Sequence, residues 1–157
     1  QINEILEAVD EALNDDQIFF VNLHPNVGNR VDFTIFNHIK PFPDNVPKYE
    51  FINCTDVLVT DYSSVCWDVY YQKKPVIFYQ FDLDHYNNAH GSYIDMENEL
   101  FGRHAYEKEE LIDNIEDCIN KDFALLPDDE KNHNHYFEYI DDKNSERTYI
   151  YLKSKGY

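Results

Sequence analysis

A chain of 157 residues with 43% hydrophobic and 16% aromatic content has the length of one domain and enough apolar material for a real core, which excludes a disordered composition. Thirty-one acidic residues against 13 lysines and arginines give a formal net charge of -18, so long-range electrostatics oppose nucleic acid and anionic lipid headgroups, and any anionic ligand must be held locally. No apolar run reaches the length of a membrane span, no signal peptide is evident, and Cys54, Cys66 and Cys118 are an odd set without C-x-x-C spacing, which reads as reduced thiols of a soluble, cytoplasmic chain rather than disulfides or a zinc site.

The chain opens inside an amphipathic helix, with Ile2, Ile5, Leu6, Val9 and Leu13 at helical spacing, as though Gln1 followed on from something longer. Ile18 to Leu23 reads as a buried strand ended by Pro25. Residues 26 to 47 read as loop with a short helix or strand around Val31 to Ile39, "YEFINC" as a short helix, and "DVLVT" as a second buried strand. A helix over Ser64 to Gln72, burying Val65, Trp67 or Val69, and Tyr70, leads through "QKKP" to a third strand, "PVIFYQF". Residues 82 to 103 read as irregular, "EKEELIDNIEDCIN" as an amphipathic helix, and "DDKNSERTYIYLKSK" as a last helix with Asn144 or Ser145 at its N-cap. Strand, helix, strand with short links predicts an α/β fold, a parallel sheet with helices on both faces.

The apolar strand at Asp56–Thr60 breaks into Thr60, Asp61, Tyr62, Ser63 and Ser64, a polar cluster at the carboxyl end of a strand and the start of a helix. There, backbone N–H groups and the positive end of the helix suit a phosphate; a serine that merely caps the helix explains the same residues. His24 follows another buried strand at what should be the same sheet edge, where an imidazole suits donation to a diphosphate or acid catalysis, though a structural histidine fits as well. His85, His90, His104, His133 and His135 show no metal-ligand spacing, and "HNH" at 133 to 135 reads as a surface loop. No G-x-G-x-x-G, Walker A or G-x-S-x-G occurs among four glycines, which removes the usual dinucleotide and P-loop readings, and no metal or cofactor is expected.

"CTDVLVTDYSSVCWDVYYQKKPVIFYQFDLDHY" resembles the C-terminal signature of the CDP-glycerol glycerophosphotransferases that build teichoic acids: "D-V-L-I-T-D-Y-S-S" at Asp56 to Ser64, an Asp at Asp68, "K-x-P-I-I-F-Y" at Lys74 to Tyr79, and "D-L-x-x-Y" at Asp82 to Tyr86. "NLHPNV" at 22 to 27 looks like that family's "L-H-P", and "DDKNSER" at 141 to 147 like its closing "D-G-x-x-S-x-R", with Asp142 where glycine is usual; "LFGRHA" at 100 to 105 replaces a "P-G-P" stretch. The resemblance implies a Rossmann-like domain, the C-terminal, nucleotide-donor-binding half of a GT-B transferase, filling residues 1–157, with the acceptor half elsewhere. By that analogy His24 is catalytic, Thr60, Asp61, Tyr62, Ser63 and Ser64 hold the nucleotide diphosphate, and Ser145 with Arg147 supplies a cation. The implied reaction moves a polyol phosphate from CDP-glycerol or a similar CDP-polyol to a lipid-linked polymer acceptor and releases CMP, with the full-length enzyme peripheral at the inner membrane face and the isolated domain inactive. A UDP-type glycosyltransferase half and a binding module without turnover are the other readings. An apolar face left by the absent half predicts self-association.

Overall fold

Among the described residues, five short strands, all paired in parallel, organise the fold. In the computed structural model, which describes residues 2–23, 31–89, 91 and 94–157, β1 (Phe19–Val21) pairs with β2 (Ile39–Pro41), and β4 (Val76–Tyr79) runs between β3 (Leu58–Thr60) and β5 (Arg103–Ala105). The register sets Thr60 opposite Phe78 and Tyr79 opposite Ala105, so the carboxyl ends of β3, β4 and β5 form one edge.

Strand β4 reads as an unbroken apolar run because both of its faces are covered. Its side chains alternate: Ile77 and Tyr79 face a core built with Leu6, Val9, Leu111, Ile115 and Cys118, from α1 (Ile2–Ala12) and α5 (Lys108–Asn120). Val76 and Phe78 face a second core with Ile52 of α2 (Lys48–Asn53) and Cys66, Val69 and Tyr70 of α3 (Val65–Tyr71). Phe19 and Val21 pack on the first core, as do Val57 and Val59, so the two strand groups share one interior. The expected α/β architecture forms, with the strands divided between two parallel sheets, β1-β2 and β3-β4-β5, flanked by helices.

Helix α3 is held at its far end by three other segments. The Tyr70 ring stacks on Phe101 at 3.9 Å and its hydroxyl donates to the Asp129 carbonyl (2.7 Å); burial pushes that phenol up to about 12. His133 Nε2 donates to the carbonyls of Tyr70 (2.9 Å) and Tyr71 (3.2 Å), satisfying acceptors that the last helical turn leaves open. Lys74 does the same for α2, its Nζ reaching the Ile52 and Asn53 carbonyls at 3.0 and 2.8 Å.

Four elements depart from expectation. His133 is buried, in α6 (Pro127–Tyr136), where a surface loop was expected; proline at the helix start and Asp128, Asp129 and Glu130 in its first turn are the helix-start signals, set in a segment too polar to show periodicity. His104, also expected at the surface, is half-buried in β5 with Nδ1 3.0 Å from Gln80 Oε1, and α4 (Leu83–Ala89) occupies part of the stretch expected to be irregular. The last helix, α7 (Asn144–Ser154), has Lys143 at its cap position and no side-chain cap, because the Asn144 amide oxygen accepts from Arg147 instead (2.6 Å). The three cysteines are free, Cys54 exposed and Cys66 and Cys118 buried.

Gly102 enters β5 at φ +82°, and a Cβ there would lie 2.6 Å from the Val76 carbonyl oxygen; Gly156, at φ +86°, faces open space. Gly102→Ala is therefore expected to cost roughly 2 kcal/mol or more and Gly156→Ala about 1 kcal/mol or less, measured by denaturant unfolding.

Candidate functional site

The turn between β3 and α3 carries the polar cluster. Thr60 closes β3 half-buried, Asp61, Ser63 and Ser64 are exposed, and Tyr62 is half-buried between them. Ser64 holds the cap position with backbone already helical (φ -61°, ψ -12°), and its hydroxyl makes no cap bond; Ser63 Oγ accepts from the Val65 N–H only at 3.4 Å. Helix capping thus leaves the two serine hydroxyls largely available, and Asp61 turns inward to accept from the Tyr62 N–H (2.6 Å).

Tyr62 is the fixed point of the turn. Its ring stacks on Tyr86 of α4 at 3.7 Å between centroids and 11° between planes, and its hydroxyl donates to Asp82 (2.8 Å). Burial first, then the Asp82 hydrogen bond, raises the phenol well above its usual range. Asp82 and Tyr86 are the first and last positions of "D-L-x-x-Y", four residues apart and so on one side of a helix and its lead-in. That spacing was the available signal for a clamp on Tyr62 that sequence reasoning did not assign.

Arg147 and Ser145 stand elsewhere. The Arg147 guanidinium makes a two-armed ion pair with Asp141 (2.8 and 3.1 Å) and covers the Tyr139 ring at 4.0 Å from its centroid. That pairing holds the Asp141 carboxyl at about 2, below the usual carboxylate range. The Asp141 carbonyl accepts from the Tyr71 hydroxyl at 3.2 Å, which ties this pair to the end of α3 remote from Ser64, about 10 Å along the helix axis. Ser145 is exposed in the first turn of α7. Between α3 and the start of α7 lies an open groove of about 320 Å³ lined by Trp67, Asp68, Tyr71, Tyr139 and Asn144 among others; a second, of about 450 Å³, shares Tyr139 and Asn144 and adds Arg147 and Thr148. The structure therefore gathers Thr60 to Ser64 at the sheet edge and sets Arg147 with Ser145 along the flank of α3. His24 lies outside the described residues. Among the described residues no three His, Cys, Asp or Glu side chains gather to hold a metal ion, and no helix is long and apolar enough to cross a membrane.

Comparison with known proteins agrees with the resemblance seen in the motifs. The family profile described as CDP-Glycerol:Poly(glycerophosphate) glycerophosphotransferase matches residues 3–153. The teichoic acid glycerol-phosphate primase of Bacillus subtilis (strain 168) is 30% identical over 114 residues, covering 73% of this chain and 30% of the relative. The teichoic acid glycerol-phosphate transferase of Staphylococcus aureus is 38% identical over 117 residues, covering 71% of this chain and 29% of the relative. Among solved structures, one of the wall teichoic acid polymerase TagF superposes with a TM-score of 0.73 at 22% identity, over 96% of this chain and 37% of that one. A TagF variant soaked with CDPG superposes with a TM-score of 0.71 at 22% identity, over 96% and 38%. The chain thus spans between 29% and 38% of the length of these relatives.

Two outcomes test this geometry. A phenol whose pKa is raised by folding contributes stability fully present below about pH 10 and lost as pH rises through the folded value. Absorbance titration of the tyrosines should therefore lose one late, high-pH step in Tyr62→Phe, with a stability loss of about 1 kcal/mol at neutral pH. For Asp141 the sign is opposite: its depressed pKa supplies stability above about pH 4 that disappears as pH falls towards 2. In Arg147→Ala the Asp141 carboxyl should titrate nearer its ordinary value of 3.8, read by NMR.

Proposed function

Because the chain belongs to the CDP-Glycerol:Poly(glycerophosphate) glycerophosphotransferase family, we propose that it is the donor-binding half of a transferase that moves a polyol phosphate from a CDP-linked donor to a hydroxyl of a teichoic-acid or related polymer, releasing CMP. The carrying observation is the family match over residues 3–153, which takes in every strand of the sheet and the Thr60–Ser64 turn. The structural likeness to a TagF variant soaked with CDPG supports a CDP-glycerol donor here.

In this reading the donor diphosphate lies across the turn. The Ser63 and Ser64 hydroxyls donate to it, the backbone of Thr60 to Tyr62 helps to shape the nucleotide pocket, and the start of α3 adds its positive end. Tyr62, clamped by Asp82 and Tyr86, fixes the turn in place before the donor arrives, so little ordering is needed on binding. His24 donates to the diphosphate as the CMP leaving group departs, and Arg147 and Ser145 reach the phosphate when the Asp141 pair opens and the start of α7 moves towards the turn. An acceptor hydroxyl attacks the phosphorus that carries the polyol and gives its proton to a base in the half outside these residues, the phosphoanhydride bond to CMP breaks, and the electron pair leaves with CMP. Catalysis rests on positioning and charge stabilisation. The acceptor-binding half lies outside these residues, so the domain alone binds donor without turning it over, and docking at a membrane, which its acidity opposes, falls to the other part.

Calorimetric titration with CDP, CDP-glycerol and UDP tests this. Cytidine ligands should bind more tightly than UDP, and both His24→Ala and the double variant Ser63→Ala, Ser64→Ala should weaken CDP binding by about tenfold or more. Failure of all three ligands to bind a chain whose circular dichroism is intact would remove the reading.

A further inference from the structure

The groove between α3 and the start of α7 has a composition unlike that of the phosphate turn. Its walls are aromatic, with Trp67 and Tyr71 from α3 and Tyr139 from the segment before α7; its polar groups are the Asp68 carboxylate and the Asn144 amide. Asp68 is exposed and lines the groove, while its backbone carbonyl accepts from the Gln72 side-chain amide (3.3 Å). Glu138 adds a second carboxylate to the lining. The guanidinium nearest to it, that of Arg147, is over the Tyr139 ring and paired with Asp141, and it belongs to the lining of the adjoining groove.

Two carboxylates on the wall make a phosphate a poor occupant. Aromatic faces with carboxylate and amide acceptors suit a neutral, hydroxyl-rich molecule, whose C–H groups lie on the rings and whose O–H groups donate to the acids. Position along α3 agrees: Ser64 and Asp68 are four residues apart and share a face of the helix, so the Asp68 wall of the groove stands about one helical turn from the phosphate turn. Resting on the donor-binding reading above, we infer that this groove is the subsite for the polyol portion of the substrate, with Asp68 as the residue that reads its hydroxyls. A ligand with its phosphates at Ser63 and Ser64 would lay its polyol on Trp67 and against Asp68.

Trp67 is the one tryptophan of the chain and lines the groove, so its fluorescence reports occupancy. Glycerol and ribitol are titrated against the chain, with inorganic phosphate as control, in wild type, Asp68→Ala and Asp68→Asn. In parallel, CDP and CDP-glycerol affinities are measured by calorimetry. The expected result is a saturable change in emission with the polyols and none with phosphate, weakened about tenfold by Asp68→Ala and less by Asp68→Asn, which keeps an acceptor. Asp68→Ala should also reduce affinity for CDP-glycerol while leaving that for CDP unchanged. If CDP binds but polyols leave Trp67 unchanged and Asp68→Ala affects both nucleotides alike or neither, the polyol subsite is overturned and the donor reading stands. If polyols saturate Trp67 in an Asp68-dependent way while no nucleotide binds, the groove stands as a polyol site and the donor reading fails.

Discussion

Burial of β4 on both faces is the constraint on which the remaining geometry depends. A strand with Val76 and Phe78 against α2 and α3, and Ile77 and Tyr79 against α1 and α5, cannot shift register by one residue without exchanging the two cores. That fixed strand sets the level at which β3 and β5 end, and hence where the chain leaves β3 to make the Thr60–Ser64 turn. It also delivers, immediately after its own carboxyl end, the Asp82 that meets Tyr62. The turn's geometry is thus an outcome of core packing and of one hydrogen-bonded, stacked tyrosine rather than of the turn's own polar residues.

If the donor-binding proposal holds, an acidic chain that holds an anion faces a particular electrostatic problem. Its best-placed cations are already paired: Arg103 and Lys121 with Asp117, Lys73 with Glu130, Arg147 with Asp141. Hydroxyls and backbone N–H groups at a helix start carry no counter-charge of their own, so they remain usable where lysines would be neutralised by neighbours. Such a site selects for geometry over charge, and its affinity should depend less on ionic strength than that of a lysine-rich phosphate site.

Much of this architecture was legible because β4 and one face of α3 are buried strongly enough to print their burial on the sequence, whereas β3, expected to be buried, is half-buried along its length. Continuous apolar runs such as "VIFY" have no other use in a chain this polar. What was not legible is where polar residues are buried or paired over long sequence distance. Arg103 and His104 sit in a strand because β4 offers an edge, not because of their own preference, and Asp117 neutralises Arg103 from 14 residues away. His133 is buried because α3 ends beneath it, a fact located 62 residues away. The serine turn was visible from its hydroxyls, while the clamp that holds it, and the isolation of Arg147 on Asp141, required the fold.

The distribution of the three thiols has a practical consequence. Burial pushes the Cys66 thiol up to about 11 and raises Cys118 as well, so at neutral pH both are closed off and protonated, whereas Cys54 stands exposed at the end of α2 beside the carbonyl that Lys74 holds. The unmodified chain therefore offers a single position for a maleimide dye or spin label, at the end of a helix anchored directly to the start of β4, and a label there reports on this domain without any engineered cysteine.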